Sequence, residues 1–152
     1  MMRTLVITVL LSVTCSTSAF AWWQYAEWGM SESQLAPASG GRMAPCRADA
    51  PACTTPPGGS APSKLVEGIT MIGLPASASF AFDGGGKLNQ TVVYFPGGDM
   101  GLLVSLLRGI HGAPVDEQAA PKVWRDTRRG TELSALPAPQ GVVLLYRPLA
   151  AR

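Results

Sequence analysis

"FAFDGGGKLNQTVVYF", residues 80–95, decides the fold. Phe80 and Phe82 fall on one face of a period-two segment, and Asp83-Gly84-Gly85-Gly86 supplies a turn with free access to positive φ. Residues 88–95 return with Val92 and Tyr94 opposed to Val93 and Phe95, so the stretch reads as a β-hairpin. A further strand precedes it. Residues 65–72 contain Val66, Ile69, Thr70 and Ile72, and Gly73-Leu74-Pro75 turns the chain into a strand over residues 78–83. Together the three segments predict an antiparallel meander.

Downstream, Pro96-Gly97-Gly98 ends the meander and Asp99 caps a helix over residues 99–111. Leu103, Leu106, Leu107 and Ile110 recur at helical spacing, Met100 and Val104 flank that stripe, and Ser105 and Arg108 lie opposite. Gly112-Ala113-Pro114 terminates the helix. Residues 122–126 and 131–136 predict a second hairpin around Thr127-Arg128-Arg129-Gly130; residues 137–141 form a loop, and residues 142–147 a last strand. Upstream, Ser31 with Gln34 three residues later forms a capping box, Met30 is placed as a hydrophobic staple, and Pro37 with Gly40-Gly41 limits the helix to about two turns. The order is helix, three strands, helix, three strands. It predicts an α+β fold, an antiparallel sheet with helices on one face, built from two αβββ units over residues 21–95 and 97–149 without residue-level repetition.

The chain begins with one charge, Arg3, then an apolar run over residues 4–13 and a smaller, more polar run to Ala21. This is the order of a secretory signal peptide, and Ala19-Phe20-Ala21 fits the A-x-A rule, so cleavage is expected after Ala21. The apolar run is about half the roughly 20 residues a membrane helix needs. No stable span is therefore expected after cleavage, and the location is periplasmic or secreted. Residues 22–152 then form a single domain carrying a formal charge of +1, too small to collect nucleic acid or anionic lipid. Charged residues make up 14%, whereas Gly (17) and Pro (13) are abundant, which predicts a loop-rich and mildly polar surface.

Cys15 leaves with the signal, and Cys46 and Cys53 remain as the one pair, expected to form a disulfide in an oxidising compartment. They sit in a Gly/Pro-rich loop over residues 40–63, expected to be mobile beyond the bridge. A redox-active pair would favour C-x-x-C spacing, which is absent.

"EWGMSESQL" (residues 27–35), the hairpin of residues 80–95, "RGIHGAP" (residues 108–114) and "VWRD" (residues 123–126) follow one another in a layout that resembles small secreted bacterial proteins. Those include the outer-membrane assembly lipoprotein family BamE (SmpA/OmlA type) and the β-lactamase-inhibitor-like fold. Ser12-Val13-Thr14-Cys15 departs from the lipobox of the former. The resemblance implies a non-enzymatic envelope protein that binds other proteins, and it transfers no functional residue.

Catalytic parts are scarce. His111 is the one histidine and reads as a helix C-terminal residue facing the dipole. Asp83 and Asp99, or Asp116 and Glu117, fall in turns, caps or linkers, and Arg125, Arg128 and Arg129 surround Asp126 at a hairpin tip. Gly84-Gly85-Gly86 lies between strands and lacks the helix a phosphate loop requires. No enzyme, metal site or cofactor is expected. Trp22, Trp23, Tyr25 and Trp28 crowd the mature N-terminus; they are expected to pack on the sheet and first helix, or to form a partner-binding patch for another envelope protein. The alternative function is a small apolar ligand held between helix 99–111 and the sheet, in a cavity lined by Leu103, Leu107 and Phe82.

Overall fold

The computed structural model describes residues 25–150. The expected signal segment over residues 1–21, Trp22 and Trp23 lie outside them. Within this range two α-helices accompany a seven-stranded antiparallel sheet, the α+β class expected from the order of elements. The elements are α1 (Glu32–Ala38), β1 (Ala44–Pro45), a 3-10 turn (Pro51–Cys53), β2 (Lys64–Met71), β3 (Leu74–Phe82), β4 (Leu88–Pro96), α2 (Met100–His111), β5 (Lys122–Asp126), β6 (Thr131–Ala138) and β7 (Gly141–Pro148). Strand order is β1-β2-β3-β4-β7-β6-β5.

Both helix starts follow the local chemistry. The Ser31 hydroxyl accepts from the Gln34 N–H while the Gln34 side chain accepts from the Ser31 N–H, a complete capping box. The Asp99 carboxylate accepts from the N–H of Leu102 at 2.8 Å. At the other end of α2 the Trp124 indole N–H donates to the Gly112 carbonyl at 3.0 Å, satisfying a terminal acceptor from a neighbouring strand.

The hairpin of β3 and β4 closes as its sequence requires: Asp83 Oδ1 accepts from the N–H groups of Gly85 and Lys87, both at 2.9 Å. Two predictions of irregular chain are corrected. Leu74 and Pro75 belong to β3, because Ile72 and Gly73 alone make the preceding turn, both at positive φ. Pro75 still pairs with Thr70, beyond the last β4 partner at Ser77, so its missing N–H costs no ladder bond to β4. Likewise β6 runs to Ala138, and the turn contracts to Pro139 and Gln140, the latter at φ 58°. Pro137 is tolerated because β5 pairs only as far as Ala135. Gly141, opposite Pro96, lies so close to the Phe95 carbonyl oxygen that a Cβ there would collide with backbone.

Side chains alternate between two buried clusters. The first gathers Leu35 of α1, Leu103 and Leu107 of α2, and Val66, Phe80, Val93, Phe95, Trp124, Leu133, Leu144 and Tyr146 from the strands. The second gathers Leu65, Val92, Tyr94, Val143 and Leu145 with Ala50 and Ala52 of the disulfide loop. Register shifts keep the alternation aligned. One lies between Val66 and Ile69, where Gly68 at φ +64° supplies the bulge, and returns Ile69 to the first cluster. Another, between Ala81 and Phe82, does the same for Leu88.

Candidate functional site

The stretch between β1 and β2 shapes the site. Cys46 and Cys53 are joined as the sequence predicts, with an S–S length of 2.05 Å and Cα atoms 5.7 Å apart. Beyond the bridge, where the sequence reading expects a mobile segment, three side chains of the sheet also attach to the loop. The buried Ser79 hydroxyl donates to the Ala52 carbonyl. Gln90, 2% exposed, accepts from the Ser60 N–H at 2.8 Å and donates to the Ser60 carbonyl at 2.7 Å. Arg147 reaches from β7 to the Gly58 carbonyl at 3.1 Å. A primary amide in a strand interior, both its groups used by one backbone residue, holds a proline-rich segment that has little ladder of its own.

Between this pinned loop and the sheet lies a cavity of about 410 Å³. Val92, Val143 and Leu136 line it from the sheet, the Pro137–Gln140 turn from one side, and the loop from Ala48 to Pro57 forms a partial roof; most of the turn and loop residues are exposed, so the space is open to solvent. The Tyr94 hydroxyl donates to the carbonyls of Pro139 and Gln140, each at 3.1 Å, and fixes the turn against the floor. Asp49 is the one charged residue in the lining, and it pairs with Arg47 at 3.2 Å. The same guanidinium binds Glu67 at 2.9 and 3.0 Å, which holds the Glu67 carboxyl below its ordinary range.

The residues singled out from sequence are dispersed. Tyr25 and Trp28 are half-buried against the first cluster; the Trp28 indole donates to Thr131 Oγ1 at 2.9 Å. Burial raises the Tyr25 pKa, against a lowering influence from Arg42. Leu103 and Leu107 are 0% and 1% exposed and packed in that cluster, with Phe82 at its margin; the cavity described above is lined instead from the second cluster. His111 ends α2, half-buried, its pKa lowered first by burial. Asp83 sits in the hairpin turn, Asp99 at the helix cap, and Asp116 accepts from the Gln118 N–H. Glu117 pairs with Arg108. Arg129 pairs with Asp126 at 3.3 Å, and Arg125 and Arg147 both face Glu132. Of these carboxylates, Asp126 lies close enough to His111 to act on it electrostatically. Among the described residues no group of three or more His, Cys, Asp or Glu is arranged to hold a metal ion, and no helix is long and apolar enough to cross a membrane.

Most cavity residues carry no sequence motif: they are alanines and prolines from 48–57 and 136–140, joined by single valines of β4 and β7. The one usable signal was the cysteine pair, which marked a loop held in place. Comparison of the chain with protein-family models, with characterised proteins and with solved structures finds no match in any of the three.

Proposed function

We propose that this chain is an exported, non-enzymatic binding protein of the periplasm or extracellular space, and that its site is the cavity beneath the disulfide loop. The observation that carries the reading is a mostly apolar, open space of about 410 Å³ beside a loop fastened by a disulfide and by the side chains of Ser79, Gln90 and Arg147. Ligand sites of small-molecule binders fall in the range of about 300–1,000 Å³ and are mostly apolar. A loop fastened at several points keeps such a space open, which lowers the ordering cost of binding.

In this reading the molecule consists of two helix-plus-meander units, α1 with β2–β4 and α2 with β5–β7, the two-residue β1 being added to the edge of the first, and both helices lie on one face. Leu35, Leu103 and Leu107 share a cluster, and the strand order places the two meanders side by side across β4 and β7, which supports that arrangement. The helix-bearing side then serves as core and the other side as the binding face. The test uses N-phenyl-1-naphthylamine, a neutral probe that fluoresces in apolar sites. Saturable enhancement with the oxidised chain, lost in Ala138→Phe, is expected; a signal unchanged by that substitution counts against the site.

A second reading, docking of another envelope protein, is supported by the aromatic sequence that opens the mature chain. Trp and Tyr are the usual interface anchors, and Trp22 and Trp23 precede the Tyr25 and Trp28 that pack on the first cluster.

A further inference from the structure

The helix α2 carries more apolar surface than its packing uses. Leu103 and Leu107 are buried in the first cluster, and Met100 and Val104 pack against its margin. Leu102, Leu106 and Ile110, each four residues from the next, form a further apolar flank. Leu102 is 49% and Ile110 55% exposed, two of the three large apolar side chains left bare among the described residues. Arg108, the one permanent charge of the helix, projects from the far side, where it pairs with Glu117. What is bare on the flank is on the order of 200–300 Å², well short of the roughly 800 Å² per partner that a stable protein interface buries. A single tryptophan buries about 150–250 Å². The flank therefore fits a short aromatic segment better than a second copy or a folded partner.

Such a segment lies immediately before the described residues. α1 is tied to β2 through Glu32 and Lys64 at 2.7 Å, whereas α2 packs on β5 and β6, with β3, β4 and β7 between them. Residues 25–30 run across this middle. Gly29 and Met30 pair with Leu88 at the start of β4, Trp28 bonds Thr131 of β6, and Ala26 is 0% exposed in the first cluster. Tyr25 packs on the same cluster, within the electrostatic reach of Arg42, which follows α1. The chain before Tyr25 thus enters between the two helices, and its next residues are Gln24, Trp23 and Trp22. Three extended residues span at most about 10 Å, and the flank from Leu102 to Ile110 is about 12 Å long.

We propose that the Trp22–Trp23 segment docks intramolecularly on the Leu102–Leu106–Ile110 flank of α2, as a strap laid between the two helices. The inference is independent of the cavity, which is lined from the second cluster, and it competes with the second reading above for the same two tryptophans.

The test is methyl-labelled NMR of the chain recovered after export with its own leader. Nuclear Overhauser cross-peaks from the Trp22 or Trp23 ring to the methyl groups of Leu102, Leu106 or Ile110 are expected, unchanged on ten-fold dilution. Leu102→Asp/Ile110→Asp, placed at exposed positions so that the core is untouched, is expected to abolish them. The same variant should raise acrylamide quenching of tryptophan fluorescence at least two-fold, because Trp28 and Trp124 keep their packing. Should it fail to fold by circular dichroism, Leu102→Ser replaces it. Absence of the cross-peaks in the natural chain overturns the proposal, and random-coil indole shifts then leave both tryptophans available to a partner. Cross-peaks that arise only between differently labelled copies overturn it in favour of self-association. Equal quenching of the natural chain and a folded variant overturns it as well. None of these outcomes bears on N-phenyl-1-naphthylamine binding, which decides the cavity separately.

Discussion

The two sides of the sheet are built by different means. Among the described residues the first cluster holds eighteen buried side chains and includes Trp124, Phe80 and Phe95, closed over by long-range packing of α1, α2 and the segment around Ala26. The second holds seven, two of them alanines of the loop, and depends on a covalent bridge, the Gln90 amide, the Ser79 hydroxyl and the Arg147 guanidinium to keep its cover in place. One side is stabilised by apolar area, at about 25 cal/mol per Å² buried, and the other by a few directional bonds worth about 1 kcal/mol each. A core built by area has no reason to leave space. A cover held by discrete bonds can span space, and the cavity is found there.

The sharpest way to break this contrast is to remove a large side chain from the first side. Trp124→Ala empties a site that is 2% exposed and frees the Gly112 carbonyl, and should cost about 3–5 kcal/mol in urea unfolding. Removing the bridge instead, with Cys46→Ser/Cys53→Ser, should cost about 2–3 kcal/mol, the loop-closure value for so short a ring. It should also weaken binding of the neutral fluorescent probe more than Trp124→Ala does at temperatures where both variants are folded. Equal stability losses, with probe binding intact in the disulfide variant, would erase the distinction between the two sides.

The smallest expected effect sharpens the comparison through pH. Burial lowers the His111 pKa below 6.5, with Arg129 adding to this and Asp126 opposing it. Just below pH 6.5 the unfolded chain therefore binds more protons than the folded one. Stability contributed here is complete above the unfolded value and declines as the pH falls through it. Urea midpoints measured from pH 7.5 to 5.5 should fall less steeply for His111→Gln than for the natural chain. An unchanged slope would mean that the half-buried end of α2 does not disfavour the imidazolium.

What could be read from sequence follows the same division. Elements that depend on local chemistry were legible: Ser31 with Gln34 starts α1, Asp99 starts α2, and the Asp83 turn and the β5 bounds fall where spacing puts them. The first four residues of β3, Leu74 to Ser77, were missed because Gly-Leu-Pro resembles a breaker and the Ala/Ser alternation after it has little hydrophobic contrast. The short β1 and the 3-10 turn were hidden by prolines. The cavity was not legible, because the partners that hold its roof, Ser79, Gln90 and Arg147, are tens of residues away along the chain and look like ordinary strand polars. Tertiary context alone reveals that Gln90 is a clamp.

The seam between β4 and β7 has a consequence in time. Every other strand pair of three residues or more joins consecutive strands, whereas Val93 meets Leu144 across 51 intervening steps of chain. Each meander can zip from its own turn within a short stretch, but the halves become one sheet only after nearly the entire polypeptide is present. A chain emerging N-terminus first therefore exposes one side of β4 as an unpaired edge until β7 arrives, which places the slow and aggregation-prone step late in synthesis.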